Sequence, residues 1–124
     1  MLYTSYFAKF RHLAKANPEE FFPVAVCLSV PKGFKGAHFK KFAPKPWFFS
    51  KFREDHDEKF FTQQYKKEIL AYLDPKKLFE ELTALAEGKK IVLLCWEKSD
   101  TFCHRHLIAE WFEKNQGIVV KELN

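Results

Sequence analysis

Long apolar runs are missing from this chain of 124 residues. No segment approaches the roughly 20 apolar residues that a membrane-spanning helix needs. The first residues, Met-Leu-Tyr-Thr-Ser-Tyr-Phe-Ala-Lys-Phe-Arg, also lack the uninterrupted apolar stretch of a secretory signal. The expectation is a cytoplasmic protein with no membrane partner. Cysteine is scarce: Cys27, Cys95 and Cys103 are the whole set. An odd number this small builds no disulfide framework, and in a reducing compartment it reads as free thiols. Internal repeats and low-complexity tracts are absent as well.

Acidic residues are missing from one stretch. Between Lys32 and Arg53 there are seven Lys or Arg and no Asp or Glu, whereas both signs mix downstream of Glu54. Such a block suits an anionic partner, phosphate or nucleic acid. It equally suits a solvated loop whose lysines keep it wet.

What is present is apolar and aromatic. Hydrophobic residues make up 47% of the chain, enough for a packed interior and too many for wholesale disorder. The length fits one domain, residues 1–124, since two would each be short of core. Phe occurs 15 times, and such rings close a small core with few residues.

Periodicity sets out the elements. Leu2-Tyr3-Thr4 fits a short opening strand, and residues 6–15 have near-helical apolar spacing up to Asn17-Pro18. The run Pro23-Val-Ala-Val-Cys-Leu-Ser-Val30 fits a strand buried on both faces, with its centre at 24–29. Pro31 to Pro46 carries three prolines, two glycines and five lysines and reads as irregular. The basic aromatic segment 31–53 is therefore expected to be a long loop, with at most a helical turn at 47–52. Helices are predicted at 58–73, at 75–87 behind the Asp74-Pro75 cap, and at 102–115. Strands are predicted at Ile91–Cys95 and Ile118–Val120. Strands separated by helices imply an α/β fold: a small, mostly parallel sheet with helices on both faces, in three layers.

Open α/β sheets bind ligands beyond the carboxyl ends of their strands. The strand ending at Cys95 runs through Trp96–Phe102 into a helix opening at Cys103-His104-Arg105-His106. Three readings compete there. In the first, Cys95 or Cys103 is a nucleophile, His104 and Glu97 are acid–base groups, and Arg105 clamps an anion at the helix start. In the second, the thiols and histidines bind a metal. Their spacing fits no common zinc pattern, and adjacent Cys103 and His104 on a helix would diverge by about 100°, so no metal and no other cofactor is expected. In the third, the cluster is packing: buried thiols, a satisfied core histidine, and an arginine tying down loop carbonyls.

The string Leu93-Leu-Cys95-Trp-Glu97-Lys, then Cys103-His-Arg105, with Ile108-Ala-Glu-Trp111 behind it, resembles the domain of unknown function 488 family. Its members carry a strand ending Leu-Leu-Cys-x-Glu, a short loop, and Cys-His-Arg opening a helix. The resemblance extends to the early Tyr3-Thr4 pair and the helix containing Tyr65, and departs at His106, where relatives often have a small or polar residue such as serine. It implies a compact α/β domain with its site at these residues and supplies no reaction. Five residues separate Cys95 from Thr101, which stands where a phosphatase loop would carry arginine. The expectation is a thiol-dependent or anion-binding enzyme acting on a phosphorylated, nucleotide or nucleic-acid-related substrate. The rival is a non-enzymatic nucleic-acid-binding module. It would use Lys32, Lys35, Lys40, Lys41 and Lys45, with the Phe and Trp rings between Phe34 and Phe52 stacking on unpaired bases.

Overall fold

A computed structural model describes residues 2–123. The chain runs β1 (Leu2–Tyr6), α1 (Phe7–Ala16), β2 (Phe21–Ala25), β3 (Ala37–His38), α2 (Pro46–Asp55), α3 (Glu58–Glu68), α4 (Pro75–Ala86), β4 (Lys90–Cys95), α5 (His104–Gln116) and β5 (Val120–Glu122). The five strands form one sheet in the order β3-β2-β4-β1-β5, with every pairing parallel.

Central strand β4 is buried on both faces, which is why its sequence reads as an unbroken apolar run. Its side chains divide by alternation. Ile91 and Leu93 join the core formed with α3, α4 and α5, while Val92 and Leu94 join a second core with Phe7 and Phe10 of α1. The sheet is thus covered on one side by α1 and on the other by α2 to α5. The chain leaves β1 toward the first side and β4 toward the second, so a crevice opens between the carboxyl ends of these neighbours, the usual ligand position in such folds.

Several boundaries differ from the sequence-based expectation. Strand β2 starts at Phe21 and contains Pro23. The N–H of Val26 bonds Leu94 O on β4, so by alternation the nitrogen of Pro23 faces the other side, beyond the start of β3. No ladder bond is lost there. At that point Gly36 passes the Pro23 carbonyl so closely that a Cβ would sit 2.6 Å from its oxygen. The segment 31–53 is not one long loop: Ala37-His38 pairs with β2, and a full helix, α2, begins at Pro46 in the first helical position. Helix α3 stops at Glu68 and tightens into a 3-10 turn over Leu70–Tyr72. Asp74 caps α4 by accepting from the N–H groups of Lys76 and Lys77, as its sequence signals. No helix among the described residues is long and apolar enough to cross a membrane.

Candidate active site at the ends of two central strands

Three elements bring the site together. Cys95 ends β4, Cys27 lies two residues past the end of the adjacent strand β2, and Cys103 and His104 open α5. All four side chains are buried. Glu97, on the loop after β4, completes the group: the Cys103 thiol donates to Glu97 Oε2 at 3.3 Å. Cys27, Cys95, Glu97 and His104 line a small pocket of about 60 Å³.

The conformation of Cys103 decides the geometry. It is the N-cap of α5, with φ −154° and ψ 145°, and so extended rather than helical. The expected 100° divergence from His104 therefore does not arise. Instead His104 Nδ1 lies 3.8 Å from Cys95 Sγ and 3.9 Å from Cys103 Sγ. The other ring nitrogen, Nε2, is 2.6 Å from the Val26 carbonyl. A carbonyl only accepts, so Nε2 carries a hydrogen, and any proton gain or loss at His104 occurs at Nδ1, between the two sulfurs. The ground on which sequence reasoning set a metal aside fails here. Cys95, Cys103 and His104 offer three ligand atoms within 4.8 Å of one another.

Electrostatics separate the thiols. Hydrogen bonding from Cys95 holds the Cys27 thiol below the usual range, against the effect of burial. Cys95 moves the other way. Its hydrogen bond with Cys103 favours the thiolate, but the bond to Cys27, burial and the nearby Glu97 charge outweigh it and push the thiol up. Burial also pushes Cys103 well up. Burial opposes the Glu97 carboxylate, yet hydrogen bonds from Cys95 and Cys103 hold it below the ordinary carboxylate value.

The Arg105 guanidinium is engaged by oxygens of the protein itself. Its side chain is 0% exposed. Nε and Nη2 donate to the two oxygens of Glu122, at 3.2 and 2.8 Å, and Nη1 donates to the Glu97 carbonyl at 2.7 Å. A cation in the first turn opposes the helix dipole, and the offset comes from the fork-to-fork pair with Glu122. The arginine thereby fastens the loop carrying Glu97 to edge strand β5. Glu122 also accepts from Thr4 and Ser99. Sequence reasoning missed Glu122, since nothing local signals that β5 places its carboxylate beside α5. It counted Cys27 only as a free thiol, though its place after an apolar run, near the carboxyl end of a strand, was a usable sign.

The lysines and rings of the basic segment are spread over the fold. Lys41 pairs with Glu81 and Lys45 with Glu68, while Lys40 is exposed on the 3-10 turn between β3 and α2. Phe39, Phe42 and Phe48 are core residues, and Trp47 alone of the expected stacking rings is exposed. Only Lys32 and Lys35 flank an open groove. It has a volume of about 440 Å³ and is walled by Phe7, Phe10, Phe34 and Trp96, with Arg11 as a third cation.

Fold and site together define a parallel α/β domain with a buried thiol–imidazole cluster and a half-buried carboxylate at the ends of its central strands. Residues 7–116 match the family described as DUF488-N3a, the active DUF488-N3 subclade. The chain belongs to the DUF488 family, the domain of unknown function 488. No curated protein and no solved structure matches it.

Proposed function

We propose that this domain is an enzyme acting on a small phosphorylated, aromatic substrate of the nucleotide class, with its reacting groups drawn from Cys95, Cys103, His104 and Glu97. One observation carries the reading. Trp96 is a wall both of the aromatic groove and of the small pocket at Cys27, Cys95, Glu97 and His104. A molecule held in the groove therefore lies next to the cluster.

The groove's chemistry supports the substrate class. Its volume of about 440 Å³ is within the range of small-molecule sites. Four aromatic walls suit a flat ring, and Trp96 keeps its orientation by donating from Nε1 to the Ser29 carbonyl at 3.0 Å. Arg11, Lys32 and Lys35 supply positive charge, and no acid is among the lining residues, so a phosphate is favoured over a neutral or cationic group. The family description calls the subclade active, in keeping with an enzyme.

Calorimetric titration with adenosine monophosphate tests the reading. Binding is expected to weaken as salt rises. The Lys32→Ala/Lys35→Ala double variant should lose about ten-fold in affinity, or about 1.4 kcal/mol. Lys41→Ala and Lys45→Ala, outside the groove, should change little. Absence of binding by any nucleoside monophosphate, or binding indifferent to Lys32 and Lys35, overturns the proposal.

A further inference from the structure

We propose that Cys95 Sγ, Cys103 Sγ and His104 Nδ1 form a three-ligand seat for a zinc ion, with the fourth coordination position open toward the pocket lined by Glu97 and Cys27. The seat stands independently of what the groove binds.

Distances come first. A tetrahedral zinc with Zn–S near 2.3 Å and Zn–N near 2.0 Å separates sulfur from nitrogen by about 3.5 Å. The sulfur–nitrogen separations here are 3.8 and 3.9 Å, a few tenths of an ångström longer, and all three ligand atoms lie within 4.8 Å of one another. Those same separations are long for thiol hydrogen bonds. Nδ1 therefore has only these two sulfurs as weak partners, on a ring 5% exposed.

The second argument is the far side of the ring. Metal-bound histidines generally donate their other N–H to a carbonyl or carboxylate, which fixes the ring and raises its basicity. His104 does so to Val26 O at 2.6 Å. Tyr65, 5.5 Å away between ring centroids, packs against the imidazole. The ring is locked before any ligand arrives.

Ligand type selects the ion. Two thiolates and an imidazole are a soft set that suits zinc and excludes magnesium or calcium as natural occupants. Two thiolates balance the charge of Zn²⁺, so the buried centre is neutral. Zinc binds the thiolates, so metal uptake by this seat is accompanied by proton release. Three protein ligands with a fourth position open is the arrangement of catalytic rather than structural zinc. Glu97 Oε2, 3.3 Å from Cys103 Sγ, stands beside that position, placed to take a proton from a water bound there.

The test is metal analysis of the full chain, purified without chelator. About one zinc per chain is expected. After stripping, cobalt(II) should give a near-ultraviolet thiolate-to-cobalt charge-transfer band and the intense visible bands of a tetrahedral site. Cys103→Ser and His104→Gln should each lower zinc affinity by more than about ten-fold. Glu97→Gln should keep the metal. Stripped wild-type protein, shown folded by circular dichroism, that takes up no zinc and develops no thiolate band with cobalt overturns the proposal, whatever the variants do. Because no substrate enters this measurement, its failure is separable from failure of the groove reading.

Discussion

Replacing Glu122 with glutamine leaves a fully buried guanidinium facing a neutral amide. Arg105 is 0% exposed and Glu122 17% exposed, and two N–H···O bonds join them. Breaking a buried pair by removing one partner costs about 3–5 kcal/mol. Here the residual exposure of Glu122 and the surviving bond from Nη1 to the Glu97 carbonyl lower the expectation to about 2–4 kcal/mol. For a domain of this size that is a fall in Tm of roughly 10 °C. Urea denaturation is the assay, with the midpoint moving and the slope unchanged. The pH dependence has a definite sign. Burial disfavours the Glu122 carboxylate, but hydrogen bonds from Arg105, Ser99 and Thr4 hold its folded value below the ordinary 4.5. A depressed carboxylate stabilises the fold above its unfolded pKa and loses that contribution as pH falls through the folded one. The gap between wild type and Glu122→Gln should therefore be full at neutral pH and close progressively below about pH 4.5. A loss under about 1 kcal/mol at neutral pH, or a gap that does not narrow in acid, refutes the structural role assigned to Arg105.

Three further outcomes are expected. Gly36→Ala would place a Cβ 2.6 Å from the Pro23 carbonyl oxygen and should destabilise by about 1–3 kcal/mol, read from thermal denaturation. Tyr65→Phe removes the buried bond from Tyr65 Oη to the Phe42 carbonyl at 2.6 Å and should cost about 1–3 kcal/mol with no change in secondary structure. Asp74→Ala removes the cap accepted from Lys76 and Lys77 and should cost about 1 kcal/mol in urea denaturation.

Much of the fold was legible because it is written locally. The apolar run of β4, the Asp74-Pro75 start of α4 and the glycine closing α5 each carry a short-range signal. Boundaries slipped where a distant partner decides them. Strand β2 is placed by its register with β4, Phe21 opposite Lys90, and β5 by its register with β1, Val120 opposite Leu2. Neither register is visible along the chain. Helix α2 was underestimated because two prolines, two glycines and five lysines lie in residues 31–45 just before it, although Pro46 is a proper first helical residue. The aromatics of the basic segment went mainly into the core, and only tertiary packing shows which ones.

The site was legible in part. The meeting of the β4 end with the start of α5 follows from the strand–loop–helix pattern. Two features lay outside it. One extended residue at the N-cap turns Cys103 back toward His104, which a helical wheel cannot represent. Cys27 arrives from a strand 68 positions earlier than Cys95, adjacent only because β2 and β4 pair in the sheet.

The central claim is that groove and cluster are one site joined at Trp96. The rate at which Cys27 is alkylated by a small reagent, followed by mass spectrometry with and without saturating adenosine monophosphate, tests it most directly. Cys27 lines the small pocket behind Trp96 and is the thiol held below the ordinary range. The account predicts modification at Cys27 ahead of Cys95 and Cys103, slowed several-fold when the groove is filled, in keeping with a ligand bound at about 100 times its Kd. A Cys27 rate unchanged by the saturating nucleotide, or a Cys27 slower than both other thiols, contradicts it.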